Sequence, residues 1–175
     1  MSDLDVVSKA FTRESDDAPE SPALPPLRPA LPPGAKNYLT PEGARRLRLE
    51  LETLQQQRTL LTASPGANEA RSGLHSLNQR ILRLRQALES AVVSSPPPPP
   101  WEQVRFGATV NVRNARGEEE QYRIVGVDET DVDRGWVSWL SPIARALLNA
   151  RLGQRVRFKF PSGEEQLEIT RIRFH

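Results

Sequence analysis

TPEGARRLRLELETLQQQRTLL, residues 40–61, decides the first half of the fold. Thr40 supplies a hydroxyl N-cap, Pro41 suits the first helical position, and Glu42 places an acid in the positive first turn. Behind this start, Ala44, Leu47, Leu51, Leu54 and Leu61 recur at alternating spacings of three and four, with Arg58 in the one polar slot. That alternation is a coiled-coil seam. Thr62-Ala63-Ser64-Pro65-Gly66 breaks it, and Ala70, Leu74, Leu77, Ile81, Leu84, Leu88 and Ala91 repeat it. Two heptad helices joined by a short break predict an antiparallel hairpin over residues 37–93. The first helix, about residues 41–62, spans roughly 33 Å at 1.5 Å per residue. A two-helix hairpin has one seam, which suits a protruding finger.

The flanks are different in kind. Twelve of the sixteen prolines in this 175-residue chain fall in two stretches, seven within residues 1–36 and five at Pro96 to Pro100. Residues 1–36, with six acids and four bases, carry too little apolar surface to offset ordering entropy and are expected to be a disordered leader. Ser94-Ser95 and the five prolines should end the second helix, and residues 94–103 form a polyproline spacer of about 15 Å.

Residues 104–175 read as a β-rich domain. Thr109 to Arg113 and Gln121 to Val127 alternate around a turn at Gly117, and Trp136 to Leu140 is short and aromatic. Pro142 to Asn149 makes one or two helical turns, broken by Gly153. Arg155 to Phe160 and Leu167 to Phe174 pair across Pro161-Ser162-Gly163. The expected class is α+β: a helical hairpin, then an antiparallel sheet of about five strands with one short helix.

Composition excludes much chemistry. Without cysteine there is no disulfide, thiolate zinc site or Cys nucleophile. No apolar run approaches the roughly 20 residues of a membrane span, and the N-terminus lacks a signal-peptide layout. A net charge of +2 is too small to argue for nucleic acid, and no sequence-specific DNA binding is expected. His75 and His175 have no partner in sequence for catalysis or a metal. The cluster Asp128, Glu129, Asp131 and Asp133 fails the EF-hand pattern and reads as a solvated loop. No nucleophile elbow, Walker or dinucleotide fingerprint occurs. The expectation is a cytoplasmic monomer with no cofactor, no metal and no catalytic residue.

Two segments together resemble the bacterial GreA/GreB transcript-cleavage factors. Asn37-Tyr38-Leu39-Thr40-Pro41-Glu42-Gly43 looks like the start of their coiled coil. Phe106 to Val110, Tyr122 to Gly126 and Ser141-Pro142-Ile143-Ala144-Arg145-Ala146-Leu147-Leu148 resemble their C-terminal domain in order and spacing, and Pro161 to Glu164 its closing hairpin. Ser8 to Glu14 is similar to the start of some GreB-type leaders.

The resemblance implies an FKBP-like C-terminal domain that docks on the rim of the secondary channel of bacterial RNA polymerase, with the coil entering the channel. It places Ser141, Pro142, Ile143, Ala144 and Arg145 at the docking surface, with Ser141, Pro142 and Arg145 exposed and Ile143 and Leu147 packing on the sheet. The family's hairpin tip carries two acids that help hold a magnesium ion. Here the tip has Asn68 and a single acid, Glu69, and the coil looks about four heptads shorter over both helices. The expectation is a secondary-channel binder without cleavage activity, similar to the short-coil regulator of nucleoside diphosphate kinase or to inhibitory Gre homologues. The alternatives are an active cleavage-stimulating factor relying on Glu69, and an FKBP-like peptide-binding module using Tyr122, Trp136 or Trp139.

Overall fold

A computed structural model describes residues 31–63, 68–160 and 163–175, with backbone alone at 68–72 and 160. The chain begins its regular structure with β1 (Asn37–Leu39), followed by α1 (Pro41–Ala63), α2 (Asn68–Glu89) and β2 (Ala91–Val93). The β domain adds β3 (Thr109–Asn114), β4 (Glu119–Val125), a 3-10 turn (Val127–Glu129), β5 (Trp136–Ser138), α3 (Pro142–Leu147), β6 (Arg155–Phe160) and β7 (Gly163–Arg173).

The N-cap forms as the sequence requires. Gly43 N–H donates to Thr40 Oγ1 at 2.9 Å, and Ala44 N–H to the Thr40 carbonyl at 2.9 Å. The seam closes tightly at its base, where Ala44, Leu47, Leu54, Ile81 and Leu84 are buried together with Leu39. It loosens outward: Leu51, Leu74 and Leu77 are half-buried and Leu61 is exposed. One seam cannot screen both flanks of two helices, and Arg58 interrupts it. Across the helices, Arg80 Nε meets Glu50 Oε1 at 2.9 Å on an exposed flank.

The second helix is shorter than its heptads suggest. Ala91 continues the seam spacing but lies in β2, which pairs in parallel with β1: Asn37 with Ala91 and Leu39 with Val93. The helix stops at Glu89 because Asn37 Nδ2 takes the Ala87 carbonyl at 2.9 Å, while Ser90 Oγ turns back to the Gln86 carbonyl at 2.8 Å. Side chains thereby satisfy carbonyls that a helix end leaves open.

The sheet runs β5-β4-β3-β7-β6. It is not wholly antiparallel as expected: β5 pairs in parallel with β4, Arg123 opposite Trp136. The even-numbered side chains of β3 and β4 face the core, with Val110, Val112 and Ile124 buried against Ile143, Ala144 and Leu147 of α3. The opposite face carries Thr109, Arg123 and Gln121. α3 ends at Leu147 with Leu148 as its cap, short of the expected Asn149, because Asn149 takes the left-handed conformation at φ 68°. The proline segment is tied down at its far end: Trp101 Nε1 donates to the Pro97 carbonyl at 3.0 Å, and its ring packs on Phe174 at 5.6 Å.

Candidate functional site

α3 stands at the end of β5, held by its own cap. Ser141 is extended at φ −65° and ψ 152°, and its hydroxyl accepts from Ala144 N–H at 3.2 Å. Pro142 follows at the first helical position, with φ already set for the turn. The helix therefore divides the five predicted docking residues. Ile143 and Ala144 are buried in the core and present nothing to a partner, while Pro142 and Arg145 are exposed and Ser141 is half-exposed. The surface that α3 offers is Pro142 and Arg145, with Ser141 at its edge.

The predicted tip residues lie far along the chain from this face. Asn68 opens α2 with Glu69 next, and their side chains, like residues 64–67, lie outside what the structure describes. Glu69 is the one acid between Glu52 and Glu89, a span that also contains Arg58, Arg71, Arg80, Arg83 and Arg85. Beyond the Glu50–Arg80 pair, the outer hairpin carries Glu52 and Glu69 against Arg58 and Arg71.

A junction that the sequence reading missed joins the hairpin to the β domain. Glu129, read as part of a solvated loop, is 1% exposed. Its Oε2 accepts from Thr40 N–H at 2.9 Å and Gly126 N–H at 3.0 Å, and its Oε1 accepts the Thr40 hydroxyl. The cap of α1 is thus bonded to a carboxylate 89 residues away. Two glycines make room for it. A Cβ at Gly43 would fall 1.8 Å from Glu129 Oε1, and one at Gly126 would fall 2.2 Å from the Tyr38 carbonyl oxygen. Tyr38 itself sits between Phe106 and Trp139, each at 5.6 Å between ring centres. The one available signal was a glycine in the first turn of an otherwise strong helix, where only close approach justifies its weak propensity.

Beside this junction Arg123 is buried over the Trp136 ring, its Nη1 2.6 Å from Glu42 Oε2. Arg123 holds the Glu42 carboxyl below the usual carboxylate range, against the opposing effect of burial, and Arg46 and His175 add smaller pulls the same way. Tyr122, on the core side, donates its hydroxyl to Glu120, and burial followed by that bond raises its pKa far above the usual phenol. Among the described residues no group of three His, Asp or Glu side chains could hold a metal, and no helix is long and apolar enough to cross a membrane.

The C-terminal half matches the family model described as transcription elongation factor, GreA/GreB, C-term, over residues 98–174. Transcription elongation factor GreB of Neisseria meningitidis serogroup A is 34% identical over 154 residues, covering 79% of this chain and 94% of that one. The chain belongs to the GreA/GreB family of transcription elongation factors. GreA of Alkalilimnicola ehrlichii is 36% identical over 156 residues, covering 80% of this chain and 99% of its own. The solved GreA/GreB factor of Nitrosomonas europaea is 26% identical, covers 79% of this chain and 100% of that chain, and superposes with a TM-score of 0.40. The C-terminal match takes in the whole of β3 to β7 with α3, and the junction residue Glu129 lies inside it.

Proposed function

We propose that this GreA/GreB-family protein binds RNA polymerase at the secondary-channel rim, docks through Pro142, Arg145 and the edge of Ser141, and inserts a hairpin that does not stimulate transcript cleavage. The observation that carries the second half is that Glu69 is the one acid at the hairpin tip. A hard divalent cation needs several oxygen ligands, and the tip offers a single carboxylate towards them. One tip acid with Arg71 two residues on is a poor match for such an ion.

The 154 positions matched to the Neisseria GreB span 79% of this 175-residue chain, so some sixteen of that relative's positions have no counterpart here; lost from the hairpin, they would shorten its reach. The docking half is supported by the exposure of Pro142 and Arg145 on a helix whose other side is fixed in the core.

The test is RNA cleavage in a backtracked elongation complex. Purified protein alone is expected to release no 3′ RNA fragment. Added to a reaction driven by an authentic cleavage factor, it should inhibit in a dose-dependent way, and Pro142→Glu should relieve the inhibition. Release of a fragment by the protein alone, abolished in Glu69→Ala, would establish a cleavage-stimulating factor instead.

A further inference from the structure

Between the first turns of α1 and the outer face of the sheet lies a cleft of about 260 Å³ whose donors neither the fold nor the docking reading uses. Thr109 and Arg123 are register partners on β3 and β4, so they share that face. Thr109 is 4% exposed and Arg123 8%, yet Thr109 Oγ1 and Arg123 Nε have no hydrogen-bond partner among the described residues. Both side chains line the cleft, with Gln121, Arg134, Trp136 and Glu42 around them. A buried polar group left unpaired destabilises the fold. Two of them side by side in one cleft point to a ligand.

The donor set states what that ligand is. A guanidinium Nε–H can only donate, and the threonine hydroxyl is free to donate. The guanidinium carbons of Arg123, Arg46 and Arg134 stand 4.8, 5.1 and 5.4 Å from the centre of the Trp136 ring. Opposing them are Glu42, 2.6 Å from Arg123 Nη1, and Asp131, 3.3 Å from Arg134 Nε. Arg46 also donates to the Glu129 carbonyl at 3.3 Å, and His175 borders the cleft. Among the charged residues that line the cleft, Arg123 and Arg134 stand against Glu42, which leaves it positive. A ligand that fits is anionic, has several acceptor oxygens on one centre, and is small.

We propose that this cleft binds a small phosphate-bearing anion, with the exposed Arg134 closing over it and the Thr109 hydroxyl and Arg123 Nε, both shut off from solvent in this structure, turning out to meet its oxygens. Phosphate oxygens match the guanidinium fork, and such charge-assisted bonds are the strong ones. The site spans the junction, because Glu42 and Arg46 belong to α1 while Arg123, Arg134 and Trp136 belong to the β domain. A bound anion competes with Glu42 for Arg123 and so acts on the contact that fixes the base of the hairpin. This inference is independent of polymerase docking.

The experiment titrates the full chain with inorganic phosphate, pyrophosphate and a nucleoside diphosphate at constant ionic strength set by chloride. The readout is the Trp136 indole N–H resonance, assigned through Trp136→Phe. A saturable shift is expected, weakened about tenfold or more in Thr109→Val and in Arg134→Ala, as loss of a charge-assisted bond predicts. Thr109→Val also removes a hydroxyl with no partner, so it should melt no lower than the parent while losing the anion. Preference among the three ligands identifies the source of the phosphate. A shift that never saturates, or equal affinity in the parent and both variants, overturns the proposal.

Discussion

The backbone of Gly43 lies directly against the carboxylate of Glu129, so close that a methyl group at residue 43 would fall 1.8 Å from Oε1. Glu129 cannot swing aside cheaply, because Thr40 and Gly126 hold both its oxygens in a buried site. Local propensity and tertiary fit therefore conflict at residue 43. Alanine favours an isolated helix by about 1 kcal/mol, but overpacking a fixed site costs about 1–3 kcal/mol. Gly43→Ala should lower the melting temperature. Gly73→Ala, in α2 with nothing within 4 Å of its Cβ, should raise it. Thermal unfolding of the two variants side by side checks the contrast.

Glu129→Gln tests the same junction without changing its volume. The amide keeps one acceptor oxygen but turns an NH₂ towards donors that need an acceptor. Leaving buried donors unsatisfied costs about 1–3 kcal/mol. The variant should unfold at lower denaturant, and proteolysis should begin at the hairpin base near residue 40. Glu118→Gln, on the exposed turn between β3 and β4, should change neither.

The Glu42–Arg123 pair gives stability a pH dependence of definite sign. Arg123 depresses the folded pKa of Glu42 below its ordinary 4.5. A depressed carboxylate contributes stability above its unfolded pKa and loses it as pH falls through the folded value. The melting-temperature difference between the parent and Glu42→Gln should therefore be full near pH 7 and shrink below about pH 4.5. Glu42 is half exposed, so solvent screens the pair and the difference should be modest and reduced by salt.

What the sequence revealed and hid follows from the range of the interactions. The start of α1 was legible because Thr40, Pro41 and Glu42 act within one turn, and its seam because heptad spacing is a local pattern. α3 was legible for the same reason, through Ser141 and Pro142. Ala91 misled because a residue at the correct heptad spacing can still lie in a strand once Asn37, 54 residues earlier, ends the helix. The parallel pairing of β5 with β4 depends on how residues 126–135 cross back, which alternation along either strand does not encode. Glu129 looked solvated because its partners, Thr40 and Gly43, lie almost half the chain away. Among the five residues marked for docking, burial alone separates Ile143 and Ala144 from Pro142 and Arg145, and six residues of helix contain too little pattern to say which face turns inward.

That separation yields the last prediction. Ala144 is fully buried and its N–H is the one the Ser141 cap satisfies, so Ala144→Asp places an unpaired charge in the core. Such a change costs several kcal/mol and should abolish polymerase binding through loss of the fold. Arg145 is exposed, and among the described residues no hydrogen bond or salt bridge of its side chain holds the domain together. Arg145→Glu should leave the melting temperature within about 0.5 kcal/mol of the parent, as surface changes do, yet weaken competition with a cleavage factor. Reversal of a rim charge acts chiefly on the association rate, so the loss should grow as salt is lowered. If Arg145→Glu competes as well as the parent at low salt, α3 is not the docking face, and its cap and core contacts serve the fold alone.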